Sequence, residues 1–586
     1  MKTSKKPVVR RKKKAVAEPI AQAAALQPVV AAPSLESPVM PPETVPVAVA
    51  QTEKKVLPIK RSGRFLLIAL LLGWLFDFLF WEQKAGVNFA LFLFVSLVLG
   101  LSVLLWEGYK PATQGLWLIL PFSFFAVITF LRREPLTSFL AFTFALFSLG
   151  LFATTYLGGR WYLYHVSDYF HKLALMIVDL LAKPFGFLWQ ASRESGGADE
   201  KARTLPIFGL LRGLLIALPI LLCFGTLLAS ADVVFNQKLD DFFDGETLGE
   251  YIQRFFLILL LAYLLIGVLL HAATRSMDEK VTQEKPSFIK PFLGFTESTV
   301  VLGSVSGLFL LFVIVQFQYF FGGERNIGVQ GYTYSQYARR GFNELVVVAV
   351  FSLIMLVVLS LVTRREQEAQ RRVYSGLSVA VVALVMVMLV SAFQRISLAI
   401  GWHGYSRLRL YPRIFLIWLA LLLIAVVVLE IFRRERYFTL ATVLASFGFA
   451  ASITLFNVDA AIVKLNVYRS WHGRNLNVPH LADLSEDAIP TLADEFLRGN
   501  LPTATRDGVG AILSCYRYFE DNPHLSPYDW RSFNYSSWKA HQALEEIRPE
   551  LAGYVIRYNK YPVRVRTPEG FLYECRKYDA ANDNDR

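Results

Sequence analysis

Charge is scarce in this sequence. Asp, Glu, Lys and Arg make up 18% of its 586 residues, against roughly a quarter in soluble domains. Mean hydropathy is +0.41. That shortage excludes an ordinary soluble enzyme. Cysteine is scarcer still, with three in the whole chain, which excludes a disulfide-dense scaffold or a multi-cysteine zinc fold. The eight histidines are scattered, and His480, His524 and His541 show no metal-ligand spacing. There is no Walker loop, no His-Glu-x-x-His, no Cys-x-x-Cys and no nucleophile elbow. No cofactor and no metal is therefore expected, and enzyme chemistry has no warrant in the residues. An apolar core of signal-peptide type is also missing after the basic opening KTSKKPVVRRKKK, so a cleaved signal is not expected.

What the chain has instead is long apolar runs, each near the roughly 20 residues needed to cross a bilayer. They fall at about 65–81, 88–106, 115–131, 136–157, 206–230, 254–272, 297–321, 342–362, 374–401, 414–432 and 437–456. The fold class expected is an all-α polytopic transmembrane helix bundle of about 11 helices over residues 65–456. Residues 1–64 carry 13 Lys/Arg against 4 Asp/Glu and continue in Ala, Pro and Val. They read as a disordered, partly polyproline-like cytoplasmic tail. Its charge suits the anionic inner leaflet at least as well as nucleic acid, so no specific nucleic-acid partner is expected.

Basic loops set the orientation. With the tail inside, the inner loops hold 18 Lys/Arg and the outer loops 11. An odd number of crossings then places the carboxy-terminal region outside. Residues 161–190 could upset that parity. This stretch is apolar, yet Asp168, Lys172, Asp179 and Lys183 recur at spacings of four and seven, one stripe on a helix. It is expected to lie in the cytoplasmic interface as an amphipathic helix. Residues 457–586 read as a small α-rich extramembrane domain. Helices are expected over DAIPTLADEFLRG (Asp487 as N-cap), TRDGVGAILSCYRYFED and DWRSFNYSSWKAHQALEEI. Its end, YPVRVRTPEGFLYECRKY, alternates around a turn and predicts a β-hairpin. Asp487 and Asp494 read as capping and surface. Cys223 lies within a membrane run, whereas Cys515 and Cys575 form an even pair in the last domain, open to a disulfide or to two isolated thiols.

The candidate polar site comes from two outer loops. GYTYSQYARRGF supplies Tyr334, Tyr337, Arg339 and Arg340, and HGYSRLRLYPR supplies Arg407, Arg409 and Arg413. Tyrosines suit a headgroup boundary, and guanidinium forks bind phosphate or carboxylate bidentately. An anionic lipid or solute is one reading, and structural salt bridging is the other. Ionisable residues inside spans are functional suspects: Asp77, Arg212, Glu297, Glu344 and Arg395. Glu344 and Arg395 fall at comparable depth and are expected to pair, or Glu344 pairs with Arg340 one turn earlier. Asp232, Asp240 and Asp241 are the crowded outer acids.

TYSQYARRGFNEL, GYSRLRLY, NVDAAIVKLNVYR, LADLSEDAIPTL and DWRSFNYSSWKA, with LLASADVVFNQKL earlier, resemble the uncharacterised bacterial inner-membrane family known as domain of unknown function 4173. The resemblance spans roughly residues 205–540. It implies a polytopic inner-membrane protein with no established activity. Gly404-Tyr405-Ser406 stands where the family has Gly-Leu-Thr, and NVPHLADL is a weakened form of its Leu-Asp-x-x-Tyr-Leu. The function expected is a non-catalytic envelope scaffold or sensor whose outer domain meets a protein partner. The alternative is a transporter or flippase for an anionic solute or lipid.

Overall fold

The computed structural model describes residues 62–194, 206–243, 248–277, 292–321, 342–474, 476–521, 529–557 and 563–575. All eleven apolar runs are helices, and the all-α bundle is what the chain forms. In chain order they are α1 (Ser62–Phe80), α2 (Val87–Trp106), α3 (Ile119–Leu131) and α4 (Pro135–Thr154), then α5 (Val166–Glu194) and α6 (Pro206–Ala231). There follow α7 (Val233–Phe243), α8 (Leu248–Thr274), α9 (Phe295–Phe321), α10 (Phe342–Val362), α11 (Glu368–His403), α12 (Arg407–Ile431) and α13 (Phe438–Leu455). Among the described residues, nine helices are long and apolar enough to cross a membrane. The chain is thus a multi-pass membrane protein. The run 115–131 is a short apolar helix preceded by a 3₁₀ turn, Gly115–Leu118.

Helix packing obeys what lipid imposes. No hydrophobic force drives helices together there, so small residues and satisfied polar groups do. Gly73 on α1 lies against α8 so closely that an added Cβ would sit 2.5 Å from the Ile258 carbonyl oxygen. One turn further along α1, the buried Asp77 carboxylate is gripped by Arg254 of α8, Nη2 to Oδ2 at 2.8 Å. The intramembrane acid suspected from sequence therefore has a partner at the opposite helix mouth. Glu297 accepts from the Gly294 N–H at 2.8 Å and caps α9. Asp232 does the same for α7, accepting from Val234 at 2.7 Å.

Helix α5 departs from expectation in one respect. Its charged stripe faces the protein. Asp179, 3% exposed, meets His271 at 2.7 Å, Arg275 at 2.9 Å and Lys183 at 2.8 Å. The opposite face, with Phe170, Ile177, Val178, Leu181 and Phe185, is exposed and apolar. Pairing removes the charge cost on the inner face.

After α13 the chain forms a compact module of α14 (Val458–Trp471), α15 (Val478–Ala482), α16 (Ile489–Leu497), α17 (Thr503–Glu520) and α18 (Tyr535–Glu546). Its sheet is β1 (Val555–Arg557), β2 (Arg564–Arg566) and β3 (Leu572–Glu574). The expected terminal hairpin is β2–β3. The structure adds β1 on the far side, so the sheet is antiparallel and three-stranded in the order β1-β2-β3. Cys515 of α17 is bonded to Cys575 just beyond β3, 60 residues on. A cross-link closing a loop of that size contributes about 2–4 kcal/mol. Cys515→Ser is expected to lower module stability by about that amount, read as an earlier loss of structure in thermal unfolding. An unchanged melting temperature would mean that the bond carries no stability.

Candidate functional site

Three turns at one end of the bundle meet the module. Val87 N–H donates to the Phe533 carbonyl at 2.8 Å, and Arg531 Nη1 to the Phe78 carbonyl at 2.6 Å. Asn534 Nδ2 reaches the Arg132 carbonyl at 3.3 Å. Asn466 exchanges two bonds with the Tyr405 backbone, at 2.8 and 2.9 Å. These turns, 81–86, 132–134 and 403–406, are among those that the alternation of crossings assigns to a single side. At the opposite end Gly158 N–H bonds the Ser276 carbonyl at 3.0 Å and Arg364 N–H the Leu293 carbonyl at 2.9 Å.

The centre of the module junction is a buried polar cluster. Arg407 opens α12 and sends Nε to Asp459 Oδ1 at 2.7 Å and Nη2 to Oδ2 of the same carboxylate. Its Nη1 donates to the Asp483 carbonyl at 3.1 Å, and Glu134 lies 3.8 Å from Nε. Asp459 is fully buried and also accepts from the Ser485 N–H at 2.7 Å and from its hydroxyl at 2.6 Å. Asp487 accepts from the N–H groups of Arg133 at 2.9 Å and Glu134 at 2.7 Å, and from the Ser536 hydroxyl. Arg132 stands 3.9 Å away. Glu134 itself caps α4, receiving Leu136 N–H at 3.0 Å and Thr137 N–H at 2.6 Å. Three carboxylates and two guanidiniums, Arg407 and Arg132, thus bind the α3–α4 turn, the α11–α12 turn and the module into one unit.

Backbone geometry at Gly404 belongs to the same arrangement. Its φ of +81° lies in the left-handed region, and a Cβ there would come within 2.6 Å of Asn466 and of Arg469. Only glycine allows the α11–α12 turn to approach α14 this closely.

The structure therefore distributes the seven arginine and tyrosine candidates unevenly. Arg407 is a buried-pair residue. Arg409 donates to the Gly404 carbonyl at 2.9 Å, and Arg413 stacks over the Phe393 ring at 4.5 Å. These three engage the protein itself and do not form one open cluster. Tyr334, Tyr337, Arg339 and Arg340 lie outside the described residues, as do the side chains of Arg212, Asp240 and Asp241. The Glu344–Arg395 pair expected from depth is not formed among the described residues: Glu344 is exposed at the start of α10 and Arg395 is buried within α11. Comparable depth does not fix the direction in which two helices turn their side chains. Asp487, read from sequence as a surface cap, is 4% exposed and central. Glu134, Asp459 and Ser485 were not singled out. The only signal for Asp459 and Ser485 in sequence is the acids beside Asn and Ser in NVDAA and LADLSEDAIP, and Glu134 shows only as an acid just before the proline that opens α4. Among the described residues no group of three His, Cys, Asp or Glu is arranged to hold a metal ion.

A family model described as Domain of unknown function (DUF4153) matches residues 119–495. That stretch contains every member of the junction cluster except Ser536. It differs in number from the family that the sequence motifs resemble and is of the same kind, a domain without an assigned activity. No curated protein and no solved structure matches the chain.

Arg407→Ala is expected to cost about 3–5 kcal/mol, because it leaves Asp459 buried and uncompensated. Arg407→Met with Asp459→Leu should recover most of that loss, since the burial penalty then disappears with both charges. Thermal unfolding of the single and double variants in detergent measures both; a double variant no better than the single would remove the pairing argument. Burial raises the Asp487 carboxyl above its ordinary value, opposed by the hydrogen bonds from Ser536 and from the Arg133 and Glu134 backbone and by the Arg132 charge. A raised folded value means that the contribution of this group is fully present below an unfolded pKa of about 4 and is lost as pH rises through the folded value. Relative to wild type, Asp487→Asn should therefore gain stability as pH is raised from acid to neutral. A difference independent of pH would contradict it.

Proposed function

Because the chain belongs to the DUF4153 family, whose description assigns no activity, its function has to be read from the junction, and we propose that it is a non-catalytic membrane scaffold. In this reading the bundle holds the 457–586 module rigidly against one membrane face for a partner protein to engage. The single observation that carries it is the Arg407–Asp459 pair with its Glu134 and Asp487 neighbours. A module tethered only by a linker would need no buried charges at its base. A rigidly presented one does, because polar groups buried at a contact fix its geometry. The alternative, passage of an anionic solute or lipid past outer arginines, loses support where Arg407, Arg409 and Arg413 already have partners within the protein.

The module-bearing end is assigned to the periplasmic side of a bacterial inner membrane. Two features support that assignment: the Lys/Arg excess of the loops at the other end, which belongs in the cytoplasm, and the Cys515–Cys575 bond, which suits an oxidising compartment. Helix α5 then rests in the inner-leaflet interface with Phe170, Ile177 and Leu181 toward acyl chains.

A photo-reactive residue at Leu497, exposed on α16, should give one discrete adduct in native membranes. Asp459→Ala, which undocks the module, should abolish that adduct. An impermeant maleimide should label Glu550→Cys from the periplasmic side only. Arginine-dependent counterflow of a labelled anionic solute in reconstituted vesicles, with no adduct formed, would overturn the scaffold reading in favour of transport.

A further inference from the structure

Among the described residues the sheet of the module has an open edge. The bonds Thr567 N–H to Phe571 carbonyl and Cys575 N–H to Val563 carbonyl, both 2.9 Å, fix which residues of β3 face β2. With the partners Val565↔Tyr573, Arg564↔Glu574 and Arg566↔Leu572, residues 571, 573 and 575 bond across the ladder. In an antiparallel pair the alternate residues direct their N–H and C=O the other way. Those residues are Leu572 and Glu574, and β3 is an edge strand. Their four backbone groups point away from the sheet.

The same edge forms one wall of a cavity of about 320 Å³. Ala482 of α15 and Ile512 and Phe519 of α17 supply an apolar floor, and Leu572, Glu574 and the Cys515–Cys575 bond line the β3 side. Leu572 is 59% exposed, and Phe571 beside it is 60% exposed. A row of outward backbone donors and acceptors along an apolar slot is the arrangement that takes an extended peptide as an added strand, main chain to the edge and alternate side chains into the slot. Glu574, exposed and among the lining residues, favours a basic residue next to the apolar anchor. The disulfide ties the end of β3 to α17 and so holds the groove open.

We propose that the groove between β3 and helices α15 and α17 binds an extended, apolar–basic alternating segment of a partner protein by strand addition. This rests on the scaffold reading and names the chemistry of its partner. The site lies on residues 479–575, largely beyond the family match that ends at residue 495.

The test uses the full chain in lipid nanodiscs with a rhodamine-labelled heptapeptide of alternating Val and Lys, read by fluorescence anisotropy. Saturable binding is expected. Leu572→Pro removes one outward N–H and leaves the β2 ladder intact, since proline is tolerated on an edge; it should weaken binding at least tenfold. Leu572→Ala keeps that N–H and should weaken it less. Ala482→Trp fills the slot and serves as the second variant should Leu572→Pro fail to form the disulfide or melt early. Glu574→Lys should turn the preference toward a Val/Glu peptide. The proposal is overturned if neither peptide binds wild type, if Leu572→Pro and Ala482→Trp bind as wild type does, or if the protein instead dimerises through β3. Loss of the groove with the Leu497 adduct retained would leave the scaffold standing. Peptide binding without any adduct would count against the scaffold alone.

Discussion

A carboxylate with no exposed surface is unstable unless something cancels its charge, and Asp459 is such a group. Arg407 cancels it with two parallel hydrogen bonds, and Ser485 supplies two more. Much of the module end follows from this one requirement. To reach Asp459, Arg407 must stand at the first position of α12, which forces the chain to reverse within 404–406. That reversal needs Gly404 at positive φ and brings Tyr405 onto Asn466. Glu134 then sits near the same guanidinium and caps α4 at once. Neither half of the cluster is satisfied without the other, so bundle and module are best regarded as one folding unit at this end.

The opposite end is built on the same logic with other residues. Arg365 pairs with Glu430 at 2.5 Å, both side chains under a tenth exposed, and lies over the Tyr374 ring at 4.1 Å. Asp179 gathers His271, Arg275 and Lys183. Between the two ends the helices meet through Leu, Val, Phe and Ala. Within α1 the buried Asp77 is matched by Arg254 on the neighbouring helix. The low charge content is thus the consequence of a bilayer-length apolar middle.

Sequence disclosed the helices and the order of crossings because those are local properties. Apolar runs of bilayer length and turn residues between them need no knowledge of partners. The alternation of crossings also groups at one end the turns 81–86, 132–134 and 403–406, which meet the module. The junction cluster was illegible for the opposite reason. Its partners are separated by 52 residues for Arg407 and Asp459 and by 354 for Arg133 and Asp487. Asp77 and Arg254 stand 177 apart. No periodicity links such positions. The Glu344–Arg395 expectation shows the limit directly: depth along two helices can be counted from sequence, whereas the rotation of each about its axis is set by packing. Asp487 was misread because an acid before a helix is ordinarily a cap, and nothing local says that Arg132, Arg133 and Ser536 will close over it. Strand β1 was missed because three residues carry too short an alternation to stand out from the helix before them.

Rigid docking also alters what an exposed edge strand means. An unpaired edge is a liability in a mobile domain, since any extended chain can add to it. Here β3 is only three residues long, bears Glu574, and is fixed at one end by the bond to Cys515. Shortness and charge discourage indiscriminate pairing, and on the proposed strand addition the apolar slot beside it selects for alternation. Because Arg407, Asp459 and the disulfide have already ordered the walls of that slot, little conformational entropy remains to be lost when a ligand enters. On the strand-addition proposal the buried charges at the base and the edge at the tip belong together: the first removes freedom that would otherwise oppose binding at the second.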